Sequence, residues 1–424
     1  MAKKKKKLTK KQKQQRAKRI KNFILFIIFL IALGIVMVNP EVRGYLENFI
    51  GQSQGGHNPN EAVTGVTYDE FQMHFLELGN EYTGDSTYIK VGDIDILIDA
   101  GSRKNSATAI KEYVDKYCTD GKLEYVISTH AHQDHIAGFV GSKENNTRTG
   151  IFYQYKIDIL IDFAFTEATS QLYEDYLTAK EYLIDNGTVN YSAAECYNNQ
   201  NGAQRSYQLG DNISLDILWN KFYFEESKDE NDYSVCVMFN YNDHHFMFTG
   251  DLEHEGEEAM AEYYDGSTPE KTLPHVDLFK AGHHGSKTSS NECLLELITP
   301  DIVTVCCCAG STEYTANYNN VFPTQDFITR VAKYTDQLYV TSVFNEKTLE
   351  FESLNGTIIV SCNGENVAVA ATNNTIKLKD SEWFNEIVYV DENDNITSGK
   401  GKEDFFTENT PGVTAKPRRV WPSA

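Results

Sequence analysis

The chain has 424 residues and a formal net charge of −22 at pH 7, from 39 basic and 61 acidic residues. Because nucleic-acid binding draws most of its affinity from phosphate neutralisation by lysine and arginine, this charge disfavours long DNA as a ligand. The sequence holds no internal repeat, no glycine-rich nucleotide loop and no Cys-x-x-Cys pair. These absences argue against a repeat protein, a nucleotide-binding fold and a structural zinc site.

The first 40 residues have the composition of a membrane anchor. Residues 1–22 contain 12 Lys or Arg and no acid, and residues 23–38 form an unbroken apolar run. A helix of this length can span a bilayer when flanking lysines extend its reach, and the basic flank then stays in the cytoplasm. We expect a basic cytoplasmic leader at 1–22, a single transmembrane anchor at 23–39 and an extracellular spacer at 40–66. A cleaved signal peptide and a buried helix are the alternatives.

The rest of the chain has the pattern of a folded extracellular domain. Strand signals alternate with helical ones from residue 67 to 361, which predicts an α/β domain of two sheets flanked by helices, with a helical insertion at 167–185. Residues 362–424 contain strand-like segments at 366–370 and 386–390 and then a polar tail. We expect these strands to complete or decorate the domain, and their functional role is unknown.

Histidine is concentrated in one short segment of this domain. The sequence STHAHQDHIAG, residues 128–138, contains His130, His132, Asp134 and His135. Neutral imidazole and carboxylate are the groups that bind zinc and similar divalent ions. His130 and His132 are two apart at the end of a predicted strand and can share one ion, while Asp134 and His135 can hold a second. The alternative is a polar surface turn, which has no reason to concentrate imidazoles.

This His-x-His-x-Asp-His motif resembles the signature of the metallo-β-lactamase superfamily. Further motifs like those of the family follow: Asp99 in ILIDAG, Asp251 in FMFTGD, and His283 and His284 in DLFKAGHHGS. The resemblance implies an αββα sandwich with the site along one edge. It also implies that Asp99 braces the ligand loop and that Asp251 bridges two metal ions. His283 is the expected metal ligand of the pair, and His284 is expected to contact substrate or a ligand.

The wider motifs narrow the resemblance to one branch. HFLELGNEYTGDSTYIKVGDIDILIDAG and LFKAGHHGSKTSS resemble the extracellular hydrolase domain of ComEC, a DNA-uptake channel protein, and its free-standing relatives. The phosphorylcholine esterase of some Gram-positive bacteria is similar at the metal motifs. The resemblance covers residues 73–361.

Two departures from the branch bear on function. The superfamily often supplies a further histidine to the first ion, but His244 and His245 lie too far along the strand that precedes Asp251, roughly 20 Å at about 3.3 Å per residue. The first ion therefore keeps an open position or uses a carboxylate such as Asp162. Phe322 also stands where the ComEC pattern has a histidine, so nuclease activity does not carry over.

The ligand set implies hydrolysis assisted by two divalent ions, zinc or alternatively manganese. Asp134 and His284 are the expected catalytic residues, and Ser286 opens a hydroxyl-rich loop, residues 286–290, that offers phosphate-type contacts unless it is simply flexible. We expect a membrane-anchored extracellular hydrolase of small or cell-wall-attached phosphoesters. A ComEC-like nuclease, a lactamase or lactonase, and a non-enzymatic surface module are the alternatives.

Overall fold

The computed structural model describes residues 63–78, 84–144, 147–398 and 405–423. The predicted leader, the predicted membrane anchor at 23–39 and most of the spacer lie outside the described residues. Within the described part of the chain, no helix is both long and apolar enough to cross a membrane.

The described strands are short and fall into two large sheets and two small two-stranded sheets. They are, in chain order, β1 (Val63–Thr64), β2 (Phe71–Phe75), β3 (Thr87–Val91), β4 (Ile94–Ile98), β5 (Lys122–Ile127), β6 (Lys143–Glu144), β7 (Thr147–Arg148), β8 (Lys156–Asp162), β9 (Val189–Ser192), β10 (Ser206–Gly210), β11 (Ile213–Ile217), β12 (Val237–Tyr241), β13 (His244–Phe248), β14 (Leu278–Lys280), β15 (Ile302–Ala309), β16 (Gln337–Asn345), β17 (Glu350–Ser353), β18 (Ile358–Cys362), β19 (Val367–Ala371), β20 (Ile387–Val390) and β21 (Thr414–Pro417).

The first sheet has the strand order β1-β19-β18-β2-β3-β4-β5-β8-β9, and the second runs β10 to β17 in sequence order. In each sheet an antiparallel half joins a parallel half. The strands β4, β5, β8 and β9 are parallel in the first sheet, and β13 to β16 are parallel in the second. Parallel neighbours need long crossover connections, which the helices supply.

The described helices cover the outer faces of both sheets. They are α1 (Ser106–Val114), α2 (Gln133–Val140), α3 (Ile151–Gln154), α4 (Gln171–Asp185), α5 (Ala193–Tyr197), α6 (His254–Tyr263), α7 (Glu292–Ile298), α8 (Gln325–Val331) and α9 (Glu382–Asn385). The helix predicted over 167–185 begins at Gln171, because the Ser170 hydroxyl accepts the backbone N–H of Tyr173 and caps it there.

Two large hydrophobic cores hold these layers together. The first contains residues from both sheets and from helices α1 to α4, and the second lies between the second sheet and helices α6 to α9. At the centre of the first core, the rings of Phe71 in β2 and Phe246 in β13 are 5.2 Å apart and meet edge to face. Both side chains are fully buried, which stabilises the sheet contact by about 1.5–3 kcal/mol each. The predicted two-sheet α/β architecture is therefore confirmed.

The C-terminal residues belong to the same body. β18 pairs with β2 and β19 pairs with β18, so strand pairing in the first sheet crosses the boundary drawn between residues 361 and 362. Farther along, the guanidinium of Arg419 is 4% exposed and donates to the backbone oxygens of Pro323 and Val321. The tail thus contacts an earlier loop of the same body, residues 310–323.

Candidate metal centre

The site lies where four strands end at the same edge of the two sheets. β4 and β5 are parallel neighbours in the first sheet, and β13 and β14 are parallel neighbours in the second. Carboxyl ends of parallel strands meet at one edge, where ligand sites commonly form. The residues that follow these four strands include Asp99, the histidine segment, Asp251 and the histidine pair.

The segment after β5 divides the predicted ligands into two groups. β5 ends at Ile127 and α2 begins at Gln133, so His130 and His132 lie in the extended connection rather than on the strand. Nε2 of His130 is 3.0 Å from Nδ1 of His132. The hydroxyl of Thr129 lies 3.1 Å from Nδ1 of His130, which leaves Nε2 facing His132. Two imidazole nitrogens thus converge, as ligands of one ion would.

Asp134 and His135 are in the first turn of α2, where the backbone rotates their side chains toward the second sheet. Nε2 of His135 is 3.2 Å from Oδ2 of Asp251. The ring centroids of His130 and His135 are 4.1 Å apart, so the two groups of ligands are adjacent. Asp251 therefore contacts the second group directly and lies close to the first group through the neighbouring His135 ring.

Asp251 is brought into the site by a tight turn after β13. Gly250 has φ +56, and a Cβ at this position would lie 2.7 Å from Oγ of Ser234 and 3.0 Å from Cβ of Thr129. Glycine is required here for both the left-handed backbone and the close approach. The Asp251 carboxylate is 1% exposed, and its backbone N–H donates to the Ser234 hydroxyl.

The histidine pair is arranged differently from the sequence expectation. β14 ends at Lys280, and both histidines lie in a turn, Gly282–Gly285, with left-handed φ values of 45° and 53°. His284 is fully buried, with Nε2 3.2 Å from Oδ2 of Asp134 and 3.5 Å from Oδ2 of Asp251. Nε2 of His283 is 4.0 Å from Asp251, and its Nδ1 is 2.8 Å from Glu253.

The geometry therefore favours His284 over His283 as the ligand of the second group. The family resemblance implied His283 as the metal ligand, but the left-handed turn brings Nε2 of His284 closer to Asp251 than Nε2 of His283. His283 remains at the margin, with its side chain 23% exposed and held by Glu253.

Asp99 contacts the ligand loop in the way that the resemblance implied. Its Oδ1 accepts the backbone N–H of Thr129 at 2.8 Å, and its Oδ2 accepts the Thr129 hydroxyl at 2.7 Å. Oδ2 also lies 2.7 Å from Nδ1 of His135. A proton held on Nδ1 leaves the lone pair of His135 Nε2 directed toward the space beside Asp251, which is the orientation a metal ligand needs.

Asp85 is a member of the cluster that sequence reasoning missed. Single ligand-type atoms of Asp85, His135, Asp251 and His284 all lie within 4.8 Å of one another, and all four residues are buried. Asp85 forms an ion pair with Lys280, which is likewise buried. The available signal was a lysine inside the apolar segment LFKAG, since lysine is almost never fully buried unless paired.

The donor set fits divalent ions. Among the described residues, Nε2 of His135 and Oδ1 of Asp251 are buried without a hydrogen-bond partner, a costly condition that a bound cation would relieve. Burial acts to lower the pKa of His284, but the carboxylates of Asp251 and Asp85 outweigh it and raise the pKa to about 10. Burial and the neighbouring His135 hold the pKa of His130 well below its usual value, so His130 is neutral. The carboxylates around His284 thus attract positive charge, and His130 beside them offers a neutral imidazole.

An aromatic wall closes one side of the site. The ring of Phe322 is 5.5 Å from that of His283 and 5.9 Å from that of His284. The Tyr314 hydroxyl donates to Oδ2 of Asp134 at 2.6 Å, and its ring is 5.8 Å from Phe322. Sequence reasoning singled out Phe322 only as a departure from a motif and did not predict the contact made by Tyr314.

The hydroxyl-rich loop, residues 286–290, is partly buried and hydrogen-bonded, unlike the flexible loop that was the alternative. Ser289 and Ser290 are fully buried, and their hydroxyls bond to the backbone of Leu252 and Gly282. The front of the loop is linked to His283 through Glu253: Oγ of Ser286 is 2.8 Å from Oγ1 of Thr288, which donates to Glu253. The expected phosphate-type contacts are therefore narrowed to these two hydroxyls.

The alternative ligands considered for the first ion are engaged elsewhere. Oδ2 of Asp162 is 2.7 Å from Nζ of Lys180, and its Oδ1 accepts the Tyr176 hydroxyl. Nδ1 of His244 is 2.7 Å from Asp277, and Nδ1 of His245 is 2.8 Å from Oδ1 of Asn240. Neither set turns toward His130 and His132.

Comparisons with known proteins bear on the family. A family model described as the metallo-β-lactamase superfamily matches residues 79–149 and 216–309. The chain is 30% identical over 79 residues to Recombination protein 2 of Haemophilus influenzae, and this match spans 19% of the chain and 9% of that relative. The two family segments contain His130, His132, Asp134, His135, Asp251 and the histidine pair.

The solved structures that match the chain have low identity to it. The metallo-β-lactamase fold protein YhfI from Bacillus subtilis is 12% identical, covering 65% of this chain and 97% of that one, with a TM-score of 0.36. CmlA, a diiron β-hydroxylase from Streptomyces venezuelae, is 10% identical, covering 57% and 45%, with a TM-score of 0.32.

The family match covers both halves of the site, one from each sheet. The histidine segment, Asp99, Asp251 and the histidine pair occur in the order of the family motifs and meet at one edge of a two-sheet sandwich. The chain carries a domain of the metallo-β-lactamase superfamily.

Proposed function

We propose that the domain is a binuclear metal-dependent hydrolase that cleaves phosphoesters, with zinc or manganese as its ions. The observation that carries this proposal is the division of the donors into two adjacent groups. His130 and His132 point nitrogens at each other, and Asp134, His135 and His284 gather around Asp251. Two ions held there would supply an activated water and charge stabilisation for ester hydrolysis.

The chain's own residues would hold and orient these groups. Asp251 lies where one carboxylate can serve both ions, because Oδ2 faces His135 and His284 while Oδ1 is buried without a partner among the described residues. Hydrogen bonds at the opposite nitrogens set the ring orientation. Nδ1 of His135 is held by Asp99, and Nδ1 of His284 by the backbone oxygen of Cys306 at 2.9 Å.

A small or wall-attached substrate suits the surroundings better than long DNA. Phe322 and Tyr314 narrow the site on one side, and Glu253 adds negative charge beside His283. Leaving out the basic leader, 27 basic residues face 61 acidic ones in the rest of the chain. A polyanion meets repulsion along its whole length, whereas a small or zwitterionic ester meets only the site.

The hydrolase would act at the outer surface of the membrane. The basic leader and apolar segment favour a single-pass anchor with the hydrolase outside the membrane, where a spacer of about 26 residues gives a reach of tens of ångströms, taking about 5–6 Å × √n. Wall-attached or membrane-proximal esters would be within that reach.

A nuclease is the second candidate, favoured by the similarity to Recombination protein 2 over 79 residues. That match spans only 9% of the relative, so a nucleic-acid substrate enters for this chain only as a proposal. The charge balance argues against it, and Phe322 replaces the histidine expected in that branch.

One assay separates the candidates. The protein, loaded with zinc or manganese, is compared on p-nitrophenylphosphorylcholine, bis-(p-nitrophenyl) phosphate, single-stranded DNA and nitrocefin. We expect metal-dependent turnover of the small phosphoesters, little cleavage of DNA and none of nitrocefin. Rapid DNA cleavage that weakens steeply with added salt would establish the nuclease instead. A protein that binds less than about one divalent ion and turns over nothing would be a non-enzymatic surface module.

A further inference from the structure

The buried ion pair between Asp85 and Lys280 joins the two sheets behind the candidate metal centre. Each residue is 3% exposed. Lys280 is the last residue of β14, two positions before the turn that carries the histidine pair, and Asp85 precedes β3 in the first sheet. An isolated buried charge is costly, so each residue depends on the other.

The backbone of Asp85 is tied to both ligand-bearing loops of the first sheet. Its N–H donates to the backbone oxygen of Asp134 at 3.0 Å, and its own oxygen accepts the N–H of Gly101 at 2.7 Å. The preceding Gly84 permits this approach, because a Cβ there would lie 2.7 Å from the backbone nitrogen of Ser102 and 3.2 Å from the backbone oxygen of Asp134. The carboxylate of Asp85 is therefore fixed relative to the ligand loops.

This carboxylate reaches His284 from behind. Oδ1 of Asp85 is 3.4 Å from Nδ1 of His284, whereas Nε2 of the same ring faces Asp134 and Asp251. Nδ1 of His284 donates to the backbone oxygen of Cys306 at 2.9 Å, and the carboxylate of Asp85 lies beside this hydrogen bond at the Nδ1 edge of the ring. This position makes Asp85 a brace for the ring, close to the cluster that it forms with His135 and Asp251.

We propose that Asp85 is a positioning residue for His284, and that Lys280 holds Asp85 in place and neutralises it. The inference rests on the proposed function, because His284 needs a fixed orientation only if Nε2 binds an ion. Partners behind a ligand histidine typically change metal affinity 10–100-fold when removed. The brace also explains why a lysine occupies a buried position at the end of β14.

The experiment measures zinc retention by the full chain in three forms: wild type, Asp85→Asn, and the double variant Asp85→Asn/Lys280→Met. Each is dialysed against graded free zinc, and bound zinc is measured by elemental analysis alongside the thermal unfolding midpoint. We expect wild type to bind two ions. Asp85→Asn should bind one of them 10–100-fold more weakly and unfold at lower temperature, because Lys280 is left buried without its carboxylate.

The double variant separates positioning from stability. Removing both charges should restore the unfolding midpoint, since no buried charge is left unpaired, yet the weakened retention of one ion should persist. The matched control is Glu346→Gln, which takes a carboxylate from Arg418, a cation whose side chain is 4% exposed. It should lower the unfolding midpoint and leave both ions in place.

The outcomes that count against the inference are distinct from those that count against the function. Wild-type retention of both ions by the double variant would overturn the positioning role and leave the proposed function standing. A wild-type chain that binds fewer than two ions would overturn the proposed function, and the inference would fall with it.

Discussion

Asp99 and His135 are 36 residues apart in the chain, and Oδ2 of Asp99 lies 2.7 Å from Nδ1 of His135. The same carboxylate accepts two hydrogen bonds from Thr129, at the start of the ligand segment. One side chain at the end of β4 therefore sets both the path of the ligand loop and the direction in which His135 presents Nε2.

The first prediction follows from this contact. Asp99→Ala should weaken zinc affinity about 10–100-fold, because the loop loses its anchor and His135 loses the group that fixes its tautomer. Zinc titration with elemental analysis measures the loss. Asp277→Ala is the matched control, since Asp277 holds His244 at 2.7 Å in the same manner away from the site. Equal zinc affinity in the two variants would contradict the role given to Asp99.

The second prediction concerns the histidine pair. His284→Ala should cost more bound metal than His283→Ala, because Nε2 of His284 faces Asp134 and Asp251 while His283 is held outward by Glu253. Bound zinc per chain at a fixed free concentration decides between them. A greater loss with His283→Ala would return the metal-ligand role to His283, as the sequence comparison suggested.

The third prediction is a pH dependence far from the metal centre. His74 in β2 is fully buried, with Nδ1 2.8 Å from the Tyr113 hydroxyl and Nε2 3.0 Å from Oε1 of Gln72. Burial lowers the pKa of His74 from 6.5 to about 3. The folded state therefore binds fewer protons than the unfolded state between these values, and stability falls as the pH falls through that window.

The expected size is about 2 kcal/mol by pH 5, at about 1.36 kcal/mol per pH unit below 6.5. Urea unfolding of wild type and His74→Gln at pH 7 and pH 5 measures it. The variant should lose less stability than wild type over this interval. Identical losses would mean that His74 does not contribute to the acid sensitivity of the fold.

The fourth prediction concerns the C-terminal tail. Arg419→Ala should destabilise the domain by about 1–3 kcal/mol, because the backbone oxygens of Pro323 and Val321 lose a buried donor. It should also raise KM for a small phosphoester while bound zinc stays unchanged, since the loop that carries Phe322 loses its tether. Lys416→Ala is the control in the same tail, with a side chain that is 35% exposed. A fall in bound zinc with Arg419→Ala would contradict this account.

The resemblance of four motifs, in order, to those of a known family was enough to predict the sandwich and the edge at which the site lies. Asp99, the histidine segment and Asp251 follow strands whose apolar runs are visible without a structure. Local patterns of this kind indicate where strands end and which ligand-type residues follow them.

Other parts of the site depend on geometry that no local pattern specifies. The choice between His283 and His284 turns on a left-handed turn at adjacent residues. Asp85 and Lys280 are 195 residues apart in the chain, and their pairing is set by how one sheet packs on the other. Tyr314 reaches Asp134 from a loop 180 residues later. Such contacts arise from tertiary packing and leave no periodic signal in the sequence.

The strand order of the first sheet has a consequence for how the chain folds. β2 receives its neighbour β18 only from the far end of the domain, and Tyr68 bonds to the Ser361 hydroxyl across a separation of 293 residues. Until β18 has been synthesised, β2 is an unpaired edge made of FQMHF, a hydrophobic segment of the kind that aggregates. Strands this far apart in sequence pair slowly, because the chain loses the entropy of closing the loop before the stabilising contacts form. The nascent chain therefore leaves this edge without its neighbour until nearly the whole domain has been made.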